Sequence, residues 1–246
     1  MQLTHGTLLG GKVSYAQPAS GFRNGIEPVL LAASVKALPG QRVLEAGTGA
    51  GAALLCLASR VGDLACTGVE RDAGLAGLAR ENAAANAVRA EILLMDVMAG
   101  LPRNGFDHAL ANPPWHSEIS TSSPDPARDG AKRGRFGLIA AWAGVLAAAL
   151  RPGGTLTFIL PASAIGEAFA AFAAAGCGGL TLAPLWPKAG CPAKIILLHA
   201  VRQSRSASRV LPGLVLHEKS GAYTVQAEAI LRGGCVWAFE HPKAGD

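Results

Sequence analysis

From residue 41 onward, short apolar segments alternate with longer segments whose apolar positions recur at helical spacing. Short apolar segments bounded by glycine, proline and polar residues predict buried strands, and the longer ones predict helices. The predicted strands span residues 42–46, 65–70, 91–95, 106–111, 155–160, 180–185 and 194–201. The predicted helices span residues 50–61, 72–86, 136–150 and 163–175.

This order of elements predicts an α/β fold of the Rossmann-like type, with a mostly parallel seven-stranded sheet and helices on both faces. The last two strands have no helix between them. They are therefore expected to form a hairpin, which places one antiparallel strand in the sheet.

The first 40 residues follow a different pattern. Residues 10–25 are rich in glycine and polar side chains, which predicts a hairpin or a loop, and residues 27–38 predict an amphipathic helix that Pro39 and Gly40 close. We expect residues 1–40 to be an extension packed on one domain of residues 41–246. That domain includes a short tail with a helix near residues 224–231.

Composition and charge narrow the classes of function. Half of the 246 residues are hydrophobic, which argues against extensive disorder, and the net charge of +5 favours a polyanionic partner without requiring one. Neither a signal peptide nor an apolar stretch of ~18 residues is evident. The five cysteines lack metal-site spacing. We therefore expect reduced, buried thiols, a cytoplasmic location and no metal.

A glycine-rich turn follows the first strand of the predicted sheet. Gly47, Gly49 and Gly51 open the next helix, and glycine allows a backbone to bend sharply beside a ligand. Glu70 ends the second strand, where a carboxylate can accept hydrogen bonds from both hydroxyls of a ribose. A tight structural turn and a dinucleotide site would fit these residues as well.

Two further acids distinguish these possibilities. Glu45 precedes the glycines, in an arrangement that resembles the first motif of class I methyltransferases, and Asp96 follows the third strand. The resemblance implies S-adenosylmethionine as the cofactor. Glu45 would organise the loop or approach the methionine end, and Asp96 would hold the adenine amine. The expected cofactor-binding residues are Glu27, Glu45, Ala46, Gly47, Gly49, Gly51, Glu70, Arg71, Asp96, Val97 and Asn112.

The strongest chemical signal is the segment Asn112, Pro113, Pro114 and Trp115, which follows the fourth strand. A conjugated amine is a weak nucleophile because its lone pair is delocalised. The Asn112 side-chain oxygen and the Pro113 carbonyl can accept its two N–H groups and align the lone pair with a methyl donor. Trp115 offers a surface on which a base can stack. The structural alternative is a rigid proline turn.

Residues 43–115 resemble amino-methyltransferases with an N-P-P-[YFW] motif. More narrowly, residues 21–33 and the tail at 223–231 are similar to the tRNA1(Val) adenine-N6 methyltransferase family. The resemblance implies methylation of adenine N6 in tRNA. The chain departs from that family at Ile26 and Glu27, where T-D is usual, and at Trp115, where tyrosine is more frequent.

Other acceptors and roles stay open. Protein glutamine-N5 and ribosomal RNA guanine-N2 methyltransferases also methylate a nitrogen with a delocalised lone pair, although each usually carries a further domain. A protein of another class would bind cofactor and RNA without catalysis. Residues 116–135 predict a long polar loop, and the sequence does not distinguish a monomer from a homodimer. The basic residues expected to contact RNA are Arg23, Arg128, Lys132, Arg133, Arg135, Arg202 and Arg205.

Overall fold

The computed structural model describes residues 2–20, 25–114 and 127–237, and for residues 127–136 it describes the backbone alone. The chain begins with an antiparallel hairpin of β1 (Leu3–Leu8) and β2 (Val13–Pro18), followed by helix α1 (Glu27–Ser34). The hairpin confirms one of the two predicted forms of this glycine-rich segment. Its first strand begins before the residues from which it was predicted.

The rest of the described chain alternates strands and helices. The strands are β3 (Arg42–Ala46), β4 (Ala65–Glu70), β5 (Ala90–Leu94), β6 (Phe106–Ala111), β7 (Leu150–Pro161), β8 (Cys177–Lys188), β9 (Ile195–Arg202), β10 (Arg209–Val210) and β11 (Leu214–His217). The helices are α2 (Ala52–Val61), α3 (Ala73–Ala85), α4 (Ala127–Ala149), α5 (Ile165–Ala174) and α6 (Val225–Leu231).

The central sheet has the strand order β10-β8-β9-β7-β6-β3-β4-β5, and β11 also pairs with β8. Only β9 runs antiparallel to its neighbours β7 and β8, and every other pairing in this sheet is parallel. This confirms the predicted mostly parallel sheet with one antiparallel strand. All seven predicted strands form, and the short β10 and β11 extend the sheet beyond them.

Alternate positions along each strand face opposite sides of the sheet. Val43 packs on the side that carries α1, α2, α3, α6 and the hairpin, whereas Leu44 packs on the side of α4 and α5. Two apolar clusters therefore form, one on each face. The doubly wound arrangement with helices on both faces is confirmed, and it leaves the ends of the parallel strands open for ligands.

Several predicted boundaries were wrong: β7 and β8 are longer than the predicted 155–160 and 180–185, and two helices differ as well. Helix α4 begins at Ala127, so residues 127–135 of the predicted loop are helical, and its residues 116–126 lie outside the described residues. Alanine, arginine and lysine favour a helix even without an apolar stripe. Helix α1 ends at Ser34 because Val35 is extended. Arg60 of α2 also donates from Nη2 to the carbonyls of Ala32 and Val35, at 3.0 and 2.5 Å. That contact satisfies backbone acceptors at the end of α1.

Two asparagines of α3 fasten the hairpin to the domain. Asn82 accepts a hydrogen bond from the Ala16 amide and donates to the carbonyls of Ala16 and Ala50, each at 2.9 Å. Asn86 makes the same pair of contacts with Ser14, at 2.8 and 2.7 Å. Because Ala50 lies in the glycine-rich turn, Asn82 joins the N-terminal extension to that turn.

Within the described ranges, no helix is long and apolar enough to cross a membrane. The five cysteines are all free. Three are buried as expected, but Cys191 and Cys235 are exposed. The prediction of uniformly buried thiols was therefore wrong for two positions, which lie in a turn and in the tail outside the core.

Candidate active site

The register of the sheet brings the predicted site residues together at one edge. Ala46 at the end of β3 pairs with Ala111 of β6 on one side and with Val69 of β4 on the other. Glu70 pairs in turn with Leu94 of β5. The residues that follow these strands therefore share the carboxyl edge of the sheet, where ligands bind in open α/β folds. They are Gly47, Asp96 and Asn112, and Glu70, the last residue of β4, lies at the same edge.

The glycine-rich turn has a backbone that other residues adopt with strain. Gly47 has φ +64°, and a Cβ at this position would lie 2.8 Å from Cη2 of Trp142. The turn therefore requires glycine both for its conformation and for the approach of the indole from α4. Gly49 and Gly51 also have positive φ values, of +55° and +90°.

Glu45 lies beneath this turn with 3% of its surface exposed. Its Oε2 accepts hydrogen bonds from Thr48 Oγ1 at 2.6 Å and from the Leu54 amide at 3.1 Å. Burial raises the pKa of the Glu45 carboxyl to about 8, against the lowering effect of those two hydrogen bonds. Of the two roles expected for Glu45, these contacts favour the organisation of the loop.

Glu70 holds the opposite side of the turn. Its Oε2 accepts from the Gly49 amide and its Oε1 accepts from the Asp72 amide, both at 2.9 Å. A carboxylate oxygen has two lone pairs, so each oxygen keeps acceptor capacity for a ribose hydroxyl. The neighbouring Arg71 is exposed, and Ala46 at the end of β3 is buried.

Asp96 begins the 3-10 turn Val97–Ala99. Its Oδ1 accepts from the Met98 amide at 2.8 Å, and the side chain is exposed. Val97 is 4% exposed and belongs to the same apolar cluster as Trp142. The turn after Asp96 is therefore anchored to the apolar core through Val97.

Asn112 carries the clearest sign of a ligand site. Its Oδ1 is buried and has no hydrogen-bond partner among the residues that the structure describes. A buried acceptor without a partner costs about 1–3 kcal/mol, so such an atom needs an explanation. A ligand N–H group would satisfy it. Pro113 is buried and Pro114 is exposed, whereas Trp115 lies outside the described residues.

The remaining predicted residues fall into separate places. Glu27 is the first residue of α1, and its carboxylate turns back over Gly25. Arg23 lies outside the described residues. Four predicted RNA-binding residues lie on α4, where only the backbone is described, rather than in a loop: Arg128, Lys132, Arg133 and Arg135.

Arg202 and Arg205 lie near the opposite edge of the sheet from Asn112. Arg202 ends β9, which runs antiparallel to β7, and its Nη1 donates to Asn104 Oδ1 at 2.6 Å and to the carbonyl of Leu150. Leu150 pairs with Phe106 at the start of β6. Six residues of strand, roughly 20 Å, separate Phe106 from Asn112. Arg202 therefore has a structural role at the amino edge of the sheet, and its contact with RNA stays a prediction.

Three residues of the site were not predicted. Thr48 binds Glu45, Asn82 binds the Ala50 carbonyl, and Trp142 packs on Gly47. Thr48 stands inside the glycine motif, and a tryptophan is uncommon in so alanine-rich a helix, but no local pattern identifies their contacts. Among the described side chains, no three His, Cys, Asp or Glu residues are grouped to hold a metal ion.

Comparison with known proteins adds the chemistry to this geometry. Residues 27–125 match the family model of the methyltransferase small domain. A curated tRNA1(Val) (adenine(37)-N6)-methyltransferase of Aeromonas salmonicida is 30% identical over 207 residues, which cover 81% of this chain and 84% of the relative. The chain belongs to the tRNA1(Val) (adenine(37)-N6)-methyltransferase family. A second family member, from Actinobacillus succinogenes, is 27% identical over 210 residues.

Solved structures agree with membership of this family at the level of the fold. A protein of Agrobacterium tumefaciens described as a predicted O-methyltransferase has a TM-score of 0.73 and 29% identity, and the match covers 87% of this chain and all of that one. The Thermus thermophilus 16S rRNA N2 G1207 methyltransferase, solved with S-adenosylmethionine and guanosine, has a TM-score of 0.56 and 22% identity, covering 82% of this chain and 50% of that one.

The chain is therefore an S-adenosylmethionine-dependent methyltransferase with a Rossmann-like fold. The residues present fit this cofactor. Gly47, Gly49 and Gly51 give the turn its positive φ values, the Glu70 carboxylate keeps acceptor capacity for a ribose, and the buried Asn112 Oδ1 has no hydrogen-bond partner among the described residues.

Proposed function

We propose that this enzyme methylates N6 of an adenine in tRNA. The observation that carries the proposal is the buried Asn112 Oδ1, which lacks a partner among the described residues and follows the strand beside the glycine turn. An acceptor in that position recognises an N–H group of the methyl acceptor. The curated relatives, which are named as tRNA adenine-N6 methyltransferases, supply the class of substrate.

When bound, S-adenosylmethionine supplies an electrophilic methyl group on sulfur. We assign the ribose hydroxyls to Glu70, with Arg71 beside it, and the adenine amine of the cofactor to Asp96 above Val97. The backbone from Ala46 to Gly51 would hold the methionine portion, and Glu27, the first residue of α1, is a further candidate contact. Glu45 acts beneath the turn by fixing its shape.

Asn112 and Pro113 then orient the acceptor. The Asn112 oxygen and the Pro113 carbonyl accept the two N–H groups of the adenine amine, which turns the nitrogen lone pair toward the methyl group. Methyl transfer would form the new N–C bond as the methyl–sulfur bond of the donor breaks, with the bonding electrons staying on sulfur. The nitrogen loses one proton to water afterwards, so Asn112 holds the amine and does not deprotonate it. Trp115, whose place in the motif predicts a stacking surface, would receive the base, which must be unpaired to reach it.

An alcohol acceptor fits this arrangement less well. A hydroxyl group has one hydrogen, so it would leave one of the two oxygens of Asn112 and Pro113 without a donor. An amide or a guanine amine would satisfy both oxygens. The direct test therefore compares acceptors that carry an amine.

The acceptor is identified by incubating the enzyme with radiolabelled S-adenosylmethionine and, separately, unmodified total tRNA, ribosomal RNA and protein extract. We expect label in tRNA, and N6-methyladenosine after digestion to nucleosides. Label confined to protein would overturn the RNA substrate. Label in N2-methylguanosine would retain the chemistry and overturn the adenine.

A further inference from the structure

The turn between β8 and β9 projects from the same edge of the sheet as Asn112. Ala111 pairs with Phe158 of β7, and β7 ends where Pro161 pairs with Ile195, the first residue of β9. Leu185 of β8 also pairs with Ile195. The residues that follow Leu185 and precede Ile195 therefore extend beyond the carboxyl edge, on the side where the substrate must arrive.

Exposed lysines gather on this projection. Lys188 ends β8 and Lys194 precedes β9, and both are exposed. The parallel pairing of β11 with β8 places His217 opposite Lys188, and Lys188 Nζ donates to the Lys219 carbonyl at 3.2 Å. The side chain of Lys219 is exposed as well. Glu218 is the one acid among residues 186–194 and 214–223, which leaves this surface basic.

Two rings stand beside these lysines. The rings of His217 and Tyr223 are stacked, with centroids 4.7 Å apart and planes 22° apart. Backbone pairing of the same two residues and the hydrogen bond between His217 Nδ1 and the Gly221 carbonyl, at 3.1 Å, hold them in place. Tyr223 also lines a cavity of about 470 Å³ together with Gly25 and Ile26, which precede α1.

Exposed lysines beside aromatic rings are typical of surfaces that bind single-stranded nucleic acid, because lysines contact the phosphates and bases stack on the rings. We infer that the RNA strand entering the active site binds on this carboxyl-edge basic surface, formed by Lys188, Lys194, His217, Lys219 and Tyr223. The inference rests on the proposed function. It places a phosphate contact on the same edge of the sheet as Asn112, whereas Arg202 and Arg205 lie near the opposite edge.

Charge-removing variants test the surface. K188Q/K219Q removes two of its positive charges, and R89Q/R103Q removes two exposed charges near the amino ends of β5 and β6 as a matched control. R205Q tests the rival position. The dissociation constant of unmodified tRNA is measured over a series of salt concentrations, and that of S-adenosylmethionine is measured as a check on folding.

We expect K188Q/K219Q to weaken tRNA binding roughly tenfold at low salt. The slope of log binding constant against log salt concentration should fall in magnitude by about 1–2, since each lost phosphate contact lowers that slope by about 0.7–0.9. Cofactor binding should stay unchanged. The control pair and R205Q should bind tRNA like the wild type.

The inference is overturned if K188Q/K219Q keeps the wild-type affinity and salt slope, or if R89Q/R103Q or R205Q weakens binding as much. The proposed function fails by a different result, which is the absence of tRNA methylation by the wild-type enzyme. If the wild-type enzyme methylates tRNA and K188Q/K219Q binds tRNA normally, only the RNA-binding role of this surface is overturned, and the proposed function stands.

Discussion

Single residues of the site act mainly by shaping the backbone around the ligands. Glu45, Thr48 and Trp142 contact the glycine turn from below and from the side. The sequence motif was sufficient to predict where the turn lies and which strand precedes it. It could not assign Trp142 to the turn, because that contact depends on how α4 packs, and packing is not encoded in a local pattern.

Glu45 gives a prediction that depends on pH. Its folded pKa of about 8 lies above the usual carboxyl value, so the unfolded chain loses this proton first, and stability falls as pH rises from about 4.5 to 8. Glu45→Gln keeps both hydrogen bonds but removes the titration. The free energy of unfolding of Glu45→Gln minus that of wild type, measured by urea titration, should therefore increase by roughly 4 kcal/mol between pH 5 and pH 9.

The matched variant is Glu45→Ala, which loses the contacts with Thr48 and Leu54. It should be less stable than Glu45→Gln at every pH, by about 1–3 kcal/mol. A constant difference in stability between wild type and Glu45→Gln across this pH range would contradict the assigned environment.

Gly47 gives a prediction about the shape of the turn. Gly47→Ala places a methyl group against Trp142 at a positive φ, so we expect a lower melting temperature and at least tenfold weaker cofactor binding, measured by calorimetry. Gly77→Ala is the control, because Gly77 lies in α3 with open space around its Cβ position. That variant should be slightly more stable, and equal behaviour of the two would refute the requirement for glycine.

Among the elements, the strands were easier to predict than the helix ends. Buried parallel strands such as β4 and β6 are short apolar segments, and both match their predicted bounds. Helix α4 was predicted too short because its first turns lack an apolar face. The hairpin was predicted only as one of two forms, since its attachment depends on Asn82 and Asn86, which lie about 70 residues away in α3.

That attachment is testable by comparing two asparagines of one helix. Asn82→Ala leaves buried backbone groups of Ala16 and Ala50 without partners, so we expect a loss of about 2–3 kcal/mol in urea unfolding and weaker cofactor binding through the glycine turn. Asn86→Ala removes exposed contacts with Ser14 and should cost less, with cofactor binding unchanged. Equal effects on cofactor binding would show that the link to the turn has no role.

Across the whole molecule, the two edges of the sheet differ in character. The carboxyl edge carries the glycine turn, Glu70, Asn112 and the carboxyl-edge basic surface, whereas Arg202 and Asn104 hold strand ends together at the amino edge. The sequence predicted Gly47, Glu70 and Asn112 as site residues but not the lysines of the basic surface, and it named Arg202 as a candidate RNA contact. The direction of β9 decides at which edge of the sheet the arginines after it lie. Their sequence does not reveal that direction, which is known only once β9 is placed antiparallel to β7 and β8.

The buried centre of the sheet makes the whole fold sensitive to acid. His199 lies within hydrogen-bond distance of Thr157, with Nδ1 3.0 Å from Oγ1, and burial, with the nearby His108 and Arg209, lowers the pKa of His199 to about 4. The unfolded chain takes up this proton first, so stability falls as pH drops from about 6.5 to 4. From pH 7 to 5 the loss should be about 2 kcal/mol.

His199→Gln retains a partner for Thr157 and removes this titration. The difference in unfolding free energy between wild type and His199→Gln should therefore shift in favour of the variant between pH 7 and pH 5, as measured by urea denaturation. A difference that does not change with pH would contradict a His199 that stays neutral in the folded protein.

The central claim is that Asn112 presents an acceptor to the amine that is methylated. It is tested most directly by the single-turnover rate of methyl transfer to tRNA by Asn112→Ala, measured with saturating S-adenosylmethionine. We predict a rate on the order of 100- to 1,000-fold below that of the wild type, with the dissociation constants of cofactor and tRNA little changed. A variant that transfers the methyl group at the wild-type rate would contradict the account.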